Sequence, residues 1–363
     1  MTDTGVIWAL CRPGFEADAG QELVARAAES GGYGFFVPEA AGWVRFELPG
    51  QAAEDVMRSL ALADLVFVRD WYIGIGTIDP LPGEDRVGAV LERLRDLGEA
   101  GPFARVDVHV PLAETPDALP RFARKWTNPL ARALRGAGIL HESPETDPAA
   151  PGLEVLLPDF SRALLAWRDP ALSSDFHEGV PRLRMPGTAP SRSTLKLEEA
   201  LHRFFSANER ERLLRHGMTA VDLGAAPGGW TWQLVQRGLA VTAVDNGPMD
   251  EALMASALVT HRAEDAFGWQ PPHPVDWLVC DIVDQPARVV SLMGEWLENG
   301  WCRMAIFNLK LPMKQRWASW QDYRSRLAEC IEASGADLTI RAAHLYHDRE
   351  EITCCVVPVR RSR

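Results

Sequence analysis

The sequence lacks any paired cysteine motif. Its 363 residues contain six cysteines, and no two of them form a Cys-x-x-Cys pair. Zinc ribbons and disulfide frameworks both need closely spaced or paired cysteines. We therefore expect neither, no metal site of any kind, and a reducing compartment, the cytoplasm.

Long apolar runs are also absent. Hydrophobic residues make up 47% of the chain, yet no 18 of them are consecutive, so we expect no membrane-spanning helix. The opening stretch MTDTGVIWALCRPGFE has neither the charged lead nor the long apolar core of a signal peptide. The composition instead predicts a globular protein with room for two domains.

Positive charge is scarce overall but concentrated locally. The net charge of −12 by itself argues against a nucleic-acid-binding protein. However, residues 121–135 carry five basic residues and residues 181–196 carry four, and neither segment contains an acid. These segments are either solvated surfaces or faces that bind phosphates. Trp126 and Trp230 could stack on bases, with packing in a core as the alternative for each.

Strand and helix patterns divide the chain into two α/β domains. We expect an N-terminal domain at 1–167, a linker rich in Pro, Gly and Ser at 168–192, and a C-terminal domain at 193–363. In the C-terminal domain Ser193 is a plausible N-cap of a first helix. From residue 219 onward continuous apolar strands alternate with helices, which predicts a parallel sheet buried on both faces. In the N-terminal domain the predicted strands are 6–11, 42–48, 65–76, 104–111, 153–158 and 163–168. The predicted helices are 51–64 and 87–100, and residues 12–30 are predicted to form a turn followed by an amphipathic helix.

The stretch AVDLGAAPGGWTWQLVQRG reads as a strand, a glycine loop and a helix. Ligands of open parallel sheets bind at the carboxyl ends of the strands, and glycine lets the backbone approach a ligand closely. The residues of this loop expected to contact the ligand are Gly224, Ala226, Pro227, Gly228 and Gly229.

Two acids near the ends of the following strands indicate which ligand is bound. Asp245 is placed to accept from ribose hydroxyls, and Asp265 lies where an adenine amino group could bind. The loop departs from the Gly-x-Gly-x-x-Gly spacing of dinucleotide sites, and its proline removes an N–H. S-adenosylmethionine is therefore favoured over NAD and over a loop used only for packing. Ser193 and Asp281 complete the expected cofactor site.

The motif DLGAAPGGWTWQLV resembles the cofactor motif of the FtsJ-like ribose 2′-O-methyltransferases. Further stretches, from residue 11 to 353, are similar to the RlmM family of bacterial methyltransferases that act on a cytidine of 23S rRNA: CRPGFE, PSRSTLKLEEA, VDNGPM, VCDIV, NGWCR, IFNLKLPMK and LYHDREEIT. The resemblance, looser in the N-terminal half, implies a Rossmann-like methyltransferase domain that uses S-adenosylmethionine. It also implies an N-terminal THUMP-type RNA-binding domain, with 23S rRNA as the partner.

A catalytic tetrad is also implied by this resemblance, with candidates in Lys196, Asp281, Lys310 and Glu351. A ribose hydroxyl is a weak nucleophile, so it must be positioned and must lose its proton to a basic side chain. Lys310 is the expected proton acceptor: partial desolvation and the nearby Lys196 ammonium would favour its neutral amine, which Asp281 and Glu351 would orient. Glu350 and His347 remain alternatives to Glu351.

Two other functions stay open. One is a non-catalytic rRNA-binding assembly factor that retains the fold, against which the four catalytic candidates argue. The other is a methyltransferase of proteins or small molecules, which the basic segments and the resemblance oppose. We expect a monomer, with no association with membranes.

Overall fold

The computed structural model describes residues 5–98, 101–111 and 118–359, and the chain divides into two compact units, Met1–Gly179 and Val180–Arg363. The last two residues of the predicted helix 87–100 lie outside the described residues. Residues 1–4, which begin the opening stretch and the predicted N-terminal domain, also lie outside the described residues, and so do residues 360–363 at the end of the predicted C-terminal domain. The proposed domain and linker boundaries stay predictions.

The first unit contains seven strands and four α-helices among its described residues. They are β1 (Val6–Leu10), α1 (Glu16–Glu29), β2 (Phe35–Ala40), β3 (Trp43–Glu47), α2 (Ala53–Leu60), β4 (Asp70–Ile78), α3 (Arg86–Asp96), β5 (Arg105–His109), α4 (Ala118–Gly136), β6 (Gly152–Leu156) and β7 (Ala163–Arg168). The strands form one sheet in the order β2-β3-β1-β4-β7-β6-β5. The α/β class predicted for this half is confirmed.

The first six elements of this unit form a recurrent motif. Their chain order is β1-α1-β2-β3-α2-β4, and their strands lie in the order β4-β1-β3-β2 with every neighbouring pair antiparallel. This is the ferredoxin-like arrangement. Beyond β4 the sheet continues through β7 and β6 to β5, which runs parallel to β6.

The prediction of one long strand over 65–76 is wrong in its first half, because β4 begins only at Asp70. The backbone amides of Val66 and Phe67 donate instead to the two carboxylate oxygens of buried Glu22, at 2.6 and 2.8 Å. A side chain from α1 thus replaces the strand partner that an apolar run would otherwise need. Alternation along the chain cannot reveal such a distant acceptor.

The second unit contains seven strands and six α-helices among its described residues. They are α5 (Thr194–Phe204), α6 (Ala207–Leu213), β8 (Thr219–Leu223), α7 (Gly229–Val235), β9 (Ala240–Val244), α8 (Glu251–Met254), β10 (Val259–Arg262), β11 (Val275–Cys280), α9 (Pro286–Glu298), β12 (Cys302–Lys310), α10 (Arg316–Ser334), β13 (Leu338–Ala343) and β14 (Glu351–Pro358). Their sheet has the order β10-β9-β8-β11-β12-β14-β13.

The last strands change the direction of this sheet. The five strands from β10 to β12 are parallel, as predicted, but β14 pairs antiparallel with both β12 and β13. The expectation of an entirely parallel sheet is therefore wrong at β14. The reason is β13, a half-buried strand that the mixed residues of its segment did not predict. β13 runs in the same direction as β12, and the chain then turns back, so that β14 runs in the opposite direction between them. As a result, the start of β14 lies at the edge where β12 ends.

Packing accounts for both tryptophans considered for RNA stacking. Trp126 on α4 is 6% exposed and lies against Phe122, and Trp230 on α7 is 2% exposed within the core between α5 and the sheet. Each is a core residue, which confirms packing in a core, the alternative to base stacking. In the part of the chain that the structure describes, no helix combines the length and apolarity needed to cross a bilayer.

Candidate active site

Two positions of the loop between β8 and α7 require glycine. Gly224 has φ +73°, and an added Cβ would lie 2.4 Å from Ile282. Gly228 has φ +115°, and its Cβ would lie 2.4 Å from Leu253. A side chain at either position would be strained and would clash. The loop thus keeps its backbone bare where the parallel strands end.

Gly229, the first residue of α7, lies directly under two hydroxyl groups. A Cβ there would be 2.3 Å from the Oγ of Ser193 and 2.5 Å from the Oγ of Ser191. The two hydroxyls are 2.7 Å apart and hydrogen-bonded. Ser191 was not among the predicted site residues, although the repeated serines of PSRS at the start of a helix are a visible signal.

Ser193 is the N-cap residue of α5, as the sequence predicted, but its side chain does not cap the helix. Its backbone is already helical, with φ −61° and ψ −22°, and its side chain makes no capping hydrogen bond. A capping serine normally has an extended backbone, which directs its hydroxyl toward the free N–H groups of the first helical turn. Because the backbone of Ser193 is helical, its hydroxyl bonds to Ser191 instead. Its carbonyl accepts the indole N–H of Trp230 at 3.0 Å, which connects the start of α5 to the first turn of α7.

Asp245 is anchored to the glycine loop. It follows β9 directly, and its carboxylate accepts the backbone N–H of Ala226 at 3.0 Å and of Gly247 at 2.6 Å. Asp265 lies three residues after β10, is exposed, and accepts the N–H of Phe267 at 3.1 Å. No hydrogen bond or ion pair between described residues joins Asp265 to the loop. Only the first of these two acids is therefore already part of the loop structure.

Three of the four tetrad candidates meet in one ion-pair cluster. The ammonium of Lys196, in the first turn of α5, lies 3.1 Å from the nearer oxygen of Asp281 and 2.7 Å from Glu351. All three side chains are less than one-fifth exposed. Asp281 directly follows β11 and Glu351 opens β14, so the cluster sits at the edge where the parallel strands end.

The protonation states in this cluster follow from burial and mutual charge. Burial lowers the pKa of Lys196, but the charge of Asp281 and the hydrogen bond to Glu351 outweigh it, so the pKa is raised overall. Burial raises the pKa of Asp281, which Lys196 only partly offsets. For Glu351 the bond to Lys196 outweighs burial and lowers the pKa. Lys196 is thus held as a cation.

Lys310 stands apart from this cluster. It is the last residue of β12, its side chain is exposed, and its backbone lies directly opposite Glu351 in the β12–β14 pairing. No ion pair or hydrogen bond connects its amine to another described residue. The carboxylates of Asp281 and Glu351, expected to orient Lys310, are bound to Lys196 instead.

The geometry also separates Glu351 from its two alternatives. Glu350 is 48% exposed and pairs with Arg316 at 3.3 Å. The ring of His347 bonds to buried Glu199 on α5 at 2.6 Å. Among these three residues, Glu351 is the one whose side chain reaches Lys196.

Buried polar residues behind Asp281 were missed by the sequence reasoning. The amide of Asn308 donates to Asp281 at 2.7 Å, and Asn308 in turn contacts Thr353, which contacts Asp348. All three are at most 3% exposed. An asparagine inside the apolar strand sequence AIFNLK is the signal that could have found the first of them.

Both basic segments present their charge to solvent. On α4 the exposed residues Arg121, Arg124, Lys125 and Arg132 recur at helical spacing along one face. In the other segment the exposed residues are Arg182, Arg184 and Arg192. Exposed cations of this kind are the side chains that contact phosphates in nucleic-acid-binding proteins.

One group of side chains in the first unit has the composition of a metal site. Ligand atoms of His109, His177 and Glu178 lie within 4.8 Å of one another. However, the Nδ1 and Nε2 atoms of His109 bond to Glu178 and Glu154 at 3.0 and 2.6 Å. Burial would lower its pKa, but these two bonds outweigh burial and raise it to about 10. Both ring nitrogens of His109 are occupied by carboxylates, so His109, Glu154 and Glu178 form an ion-pair cluster.

Comparison with known proteins agrees with both units. Residues 189–295 match the model of the FtsJ-like methyltransferase family, and residues 5–72 match that of the RlmM ferredoxin-like domain. The second range covers the ferredoxin-like elements from β1 to α2 and the first three residues of β4. The predicted methyltransferase fold and the resemblance stated from the motifs are confirmed.

Two relatives match over most of their length. Ribosomal RNA large subunit methyltransferase M of Marinobacter nauticus is 48% identical over 353 residues, which cover 96% of this chain and 98% of that protein. The protein of the same name from Cellvibrio japonicus is 44% identical, covering 94% and 96%. Among solved structures, fibrillarin of Aeropyrum pernix matches with 13% identity, 56% and 81% coverage and a TM-score of 0.32, too distant to carry an argument.

Proposed function

Since the chain belongs to the family of ribosomal RNA large subunit methyltransferase M, we propose that it methylates the ribose 2′-hydroxyl of a cytidine in 23S rRNA, with S-adenosylmethionine as donor. The observation that carries the proposal is the ion-pair cluster of Lys196, Asp281 and Glu351. It lies at the same sheet edge as the glycine loop, with Lys310 paired opposite Glu351.

The donor fits the residues of the glycine loop. Its sulfonium would supply the methyl group, and it carries no phosphate that would need a nest of N–H groups. Gly228 and Gly229 leave the backbone bare, and the hydroxyls of Ser191 and Ser193 lie above it. Asp245 can use the lone pairs left by its two backbone bonds to accept from ribose hydroxyls. Asp265 would bind the adenine end.

The tetrad divides into a fixed part and a proton acceptor. Lys196 is held as a cation between two carboxylates, and from this fixed position its ammonium orients the 2′-hydroxyl. Lys310, exposed at the end of β12, is the amine that accepts the hydroxyl proton as the oxygen–methyl bond forms and the sulfur–methyl bond breaks. Both electrons of the broken bond stay on sulfur, and the proton leaves later from Lys310 to water.

The substrate is held by charged residues other than the tetrad. Exposed basic residues on α4 and in the segment 181–196 supply phosphate contacts, which depend on local faces rather than on the net charge of −12. We propose that the chain acts as a monomer in the cytoplasm.

The decisive experiment is transfer of label from tritiated S-adenosylmethionine to 23S rRNA, followed by digestion to nucleosides. Label in 2′-O-methylcytidine, lost in Lys310→Ala, is the expected result. Label in a methylated base would contradict ribose methylation. Label in protein would indicate a protein methyltransferase, and RNA binding without label would indicate an assembly factor.

A further inference from the structure

A continuous row of buried polar side chains runs behind the ion-pair cluster. Asn308 donates its amide to the Oδ1 of Asp281 at 2.7 Å, and the hydroxyl of Thr353 lies 2.7 Å from the Oδ1 of Asn308. The same hydroxyl lies 3.0 Å from the Oδ2 of Asp348. Asn308 is 3% exposed, and Thr353 and Asp348 are fully buried.

Counting protons fixes the direction of each bond in this row. Asp281 and the amide oxygen of Asn308 are acceptors here, so Asn308 donates to Asp281 and Thr353 must donate its single proton to Asn308. Thr353 then has none left for Asp348, 3.0 Å away on its other side. That contact is a hydrogen bond only if Asp348 carries a proton and donates it to the hydroxyl oxygen.

We propose that Asn308 is a positioning residue for methyl transfer, and that a neutral Asp348 fixes its orientation through Thr353. The proposal rests on the function proposed above. The row begins at an uncharged acid and ends on the carboxylate that holds Lys196, and every bond in it points toward the active site.

The environment of Asp348 agrees with a neutral acid. Burial raises the pKa of Asp348 well above its ordinary range, and the lowering effect of the Lys196 charge does not offset it. The backbone N–H of Leu345 donates to the same oxygen at 3.1 Å, which a protonated oxygen can still accept.

The row matters because the Oδ1 of Asp281 serves two donors. It accepts from Asn308 at 2.7 Å and from Lys196 at 3.1 Å, so the rotation of this carboxylate sets the position of the Lys196 ammonium. Without Asn308 the carboxylate of Asp281 is free to rotate, and the Lys196 ammonium that orients the ribose then shifts. Misplacement of about 1 Å can cost about 100-fold in rate without loss of binding.

Two isosteric variants break the row, and single-turnover kinetics measures the effect. Thr353→Val and Asn308→Leu should slow methyl transfer by about 10- to 100-fold, while calorimetric S-adenosylmethionine affinity and RNA affinity stay within about twofold of wild type. Thr353→Ser, which keeps the hydroxyl, should restore the rate. Thermal unfolding checks each variant, and if Asn308→Leu fails to fold, the smaller change Thr353→Val carries the test.

Two variants of Asp348 test whether this residue is a neutral hydrogen-bond donor or an ionised carboxylate. Asp348→Asn keeps a neutral donor and should restore most of the rate that Asp348→Ala loses. Equal loss in both variants, or a wild-type rate in Thr353→Val, would overturn the proposal.

A spectroscopic measurement does not depend on activity. The infrared difference spectrum of wild type minus Asp348→Asn should contain the C=O band of a protonated carboxyl. A carboxylate band in its place would refute the neutral Asp348. An inactive wild-type enzyme would contradict the proposed function. The infrared band would still show whether Asp348 is protonated.

Discussion

Glu351 connects the two lysines of the site through different parts of one residue. Its backbone lies opposite Lys310 in the β12–β14 pairing, while its carboxylate accepts a hydrogen bond from Lys196 at 2.7 Å. The two lysines therefore differ in environment: Lys196 is enclosed by two acids, and Lys310 is exposed at the strand end. This asymmetry fixes the position of the Lys196 ammonium and leaves the Lys310 amine accessible to a substrate hydroxyl.

Replacing Lys310 tests this division of roles. Lys310→Ala should abolish methyl transfer while S-adenosylmethionine and RNA still bind, because the variant removes the proton acceptor and leaves the binding surfaces intact. Lys310→Arg should not restore activity, since a guanidinium stays protonated and cannot act as a base. The measurement is the single-turnover rate of each variant, with binding measured separately by calorimetry and filter retention.

Lys314→Ala is the matched control, because it removes an exposed lysine four residues further along. It should keep the wild-type rate. An active arginine variant, with chemistry rate-limiting, would mean that positioning alone drives the reaction.

The Asp245 carboxylate should be needed for cofactor affinity. Asp245→Ala removes an acceptor for the ribose and frees the Ala226 amide of the loop, so affinity should fall by ~1.5–3 kcal/mol, roughly ten- to hundredfold. Asp265→Ala should also weaken binding. Titration calorimetry with S-adenosylmethionine measures both, and Glu264→Ala, the exposed acid beside Asp265, serves as control. Wild-type affinity in Asp245→Ala would refute the placement of the ribose.

Strand ends explain why much of the site was predictable from sequence. In a parallel sheet every carboxyl end lies at one edge, so an acid or lysine that closes an apolar strand is placed without knowledge of distant contacts. Asp245, Asp281 and Lys310 each follow or close such a strand. The roles of these residues stay predictions, but their placement at one edge follows from local patterns.

Long-range pairing explains what the sequence could not decide. Whether Glu351, Glu350 or His347 faces Lys196 depends on the phase of β14, and that phase is set by its antiparallel pairing with β12 and β13. Asp348, Thr353 and Asn308 join only after β14 has inserted between those strands. Asp348 also lies in a loop segment, HDREE, whose composition is typical of a solvated surface.

The basic face of α4 should govern the salt dependence of RNA binding. Replacing Arg121, Arg124 and Lys125 together by Ala should weaken binding, because fewer RNA phosphates are then neutralised by the protein. The slope of log affinity against log salt should become shallower by about 0.7–0.9 for each phosphate that the variant no longer neutralises. Cofactor affinity should not change. Filter binding across a salt series measures the slope.

A control with the same change in net charge separates a local face from bulk charge. Arg212, Arg215 and Arg303 are exposed in the second unit and belong to neither basic segment. Their triple alanine variant should keep the wild-type salt slope. Equal slopes in wild type and the α4 variant would remove residues 121–135 from the interface.

The buried ion-pair cluster at His109 predicts that the first unit loses stability at alkaline pH. Burial would lower the pKa of His109, but the hydrogen bonds that its ring donates to the carboxylates of Glu154 and Glu178 outweigh burial and raise the pKa to about 10, whereas an unfolded histidine titrates near 6.5. Because the folded state binds this proton more tightly, the stabilisation is complete below about pH 6.5 and is lost as pH rises toward 10. Scanning calorimetry of the intact chain between pH 6.5 and 9.5 should show the unfolding temperature falling more steeply in wild type than in His109→Gln, which has no ring proton to lose. Other titrating groups are shared by both proteins, so parallel curves would show that His109 is not charged in the folded protein.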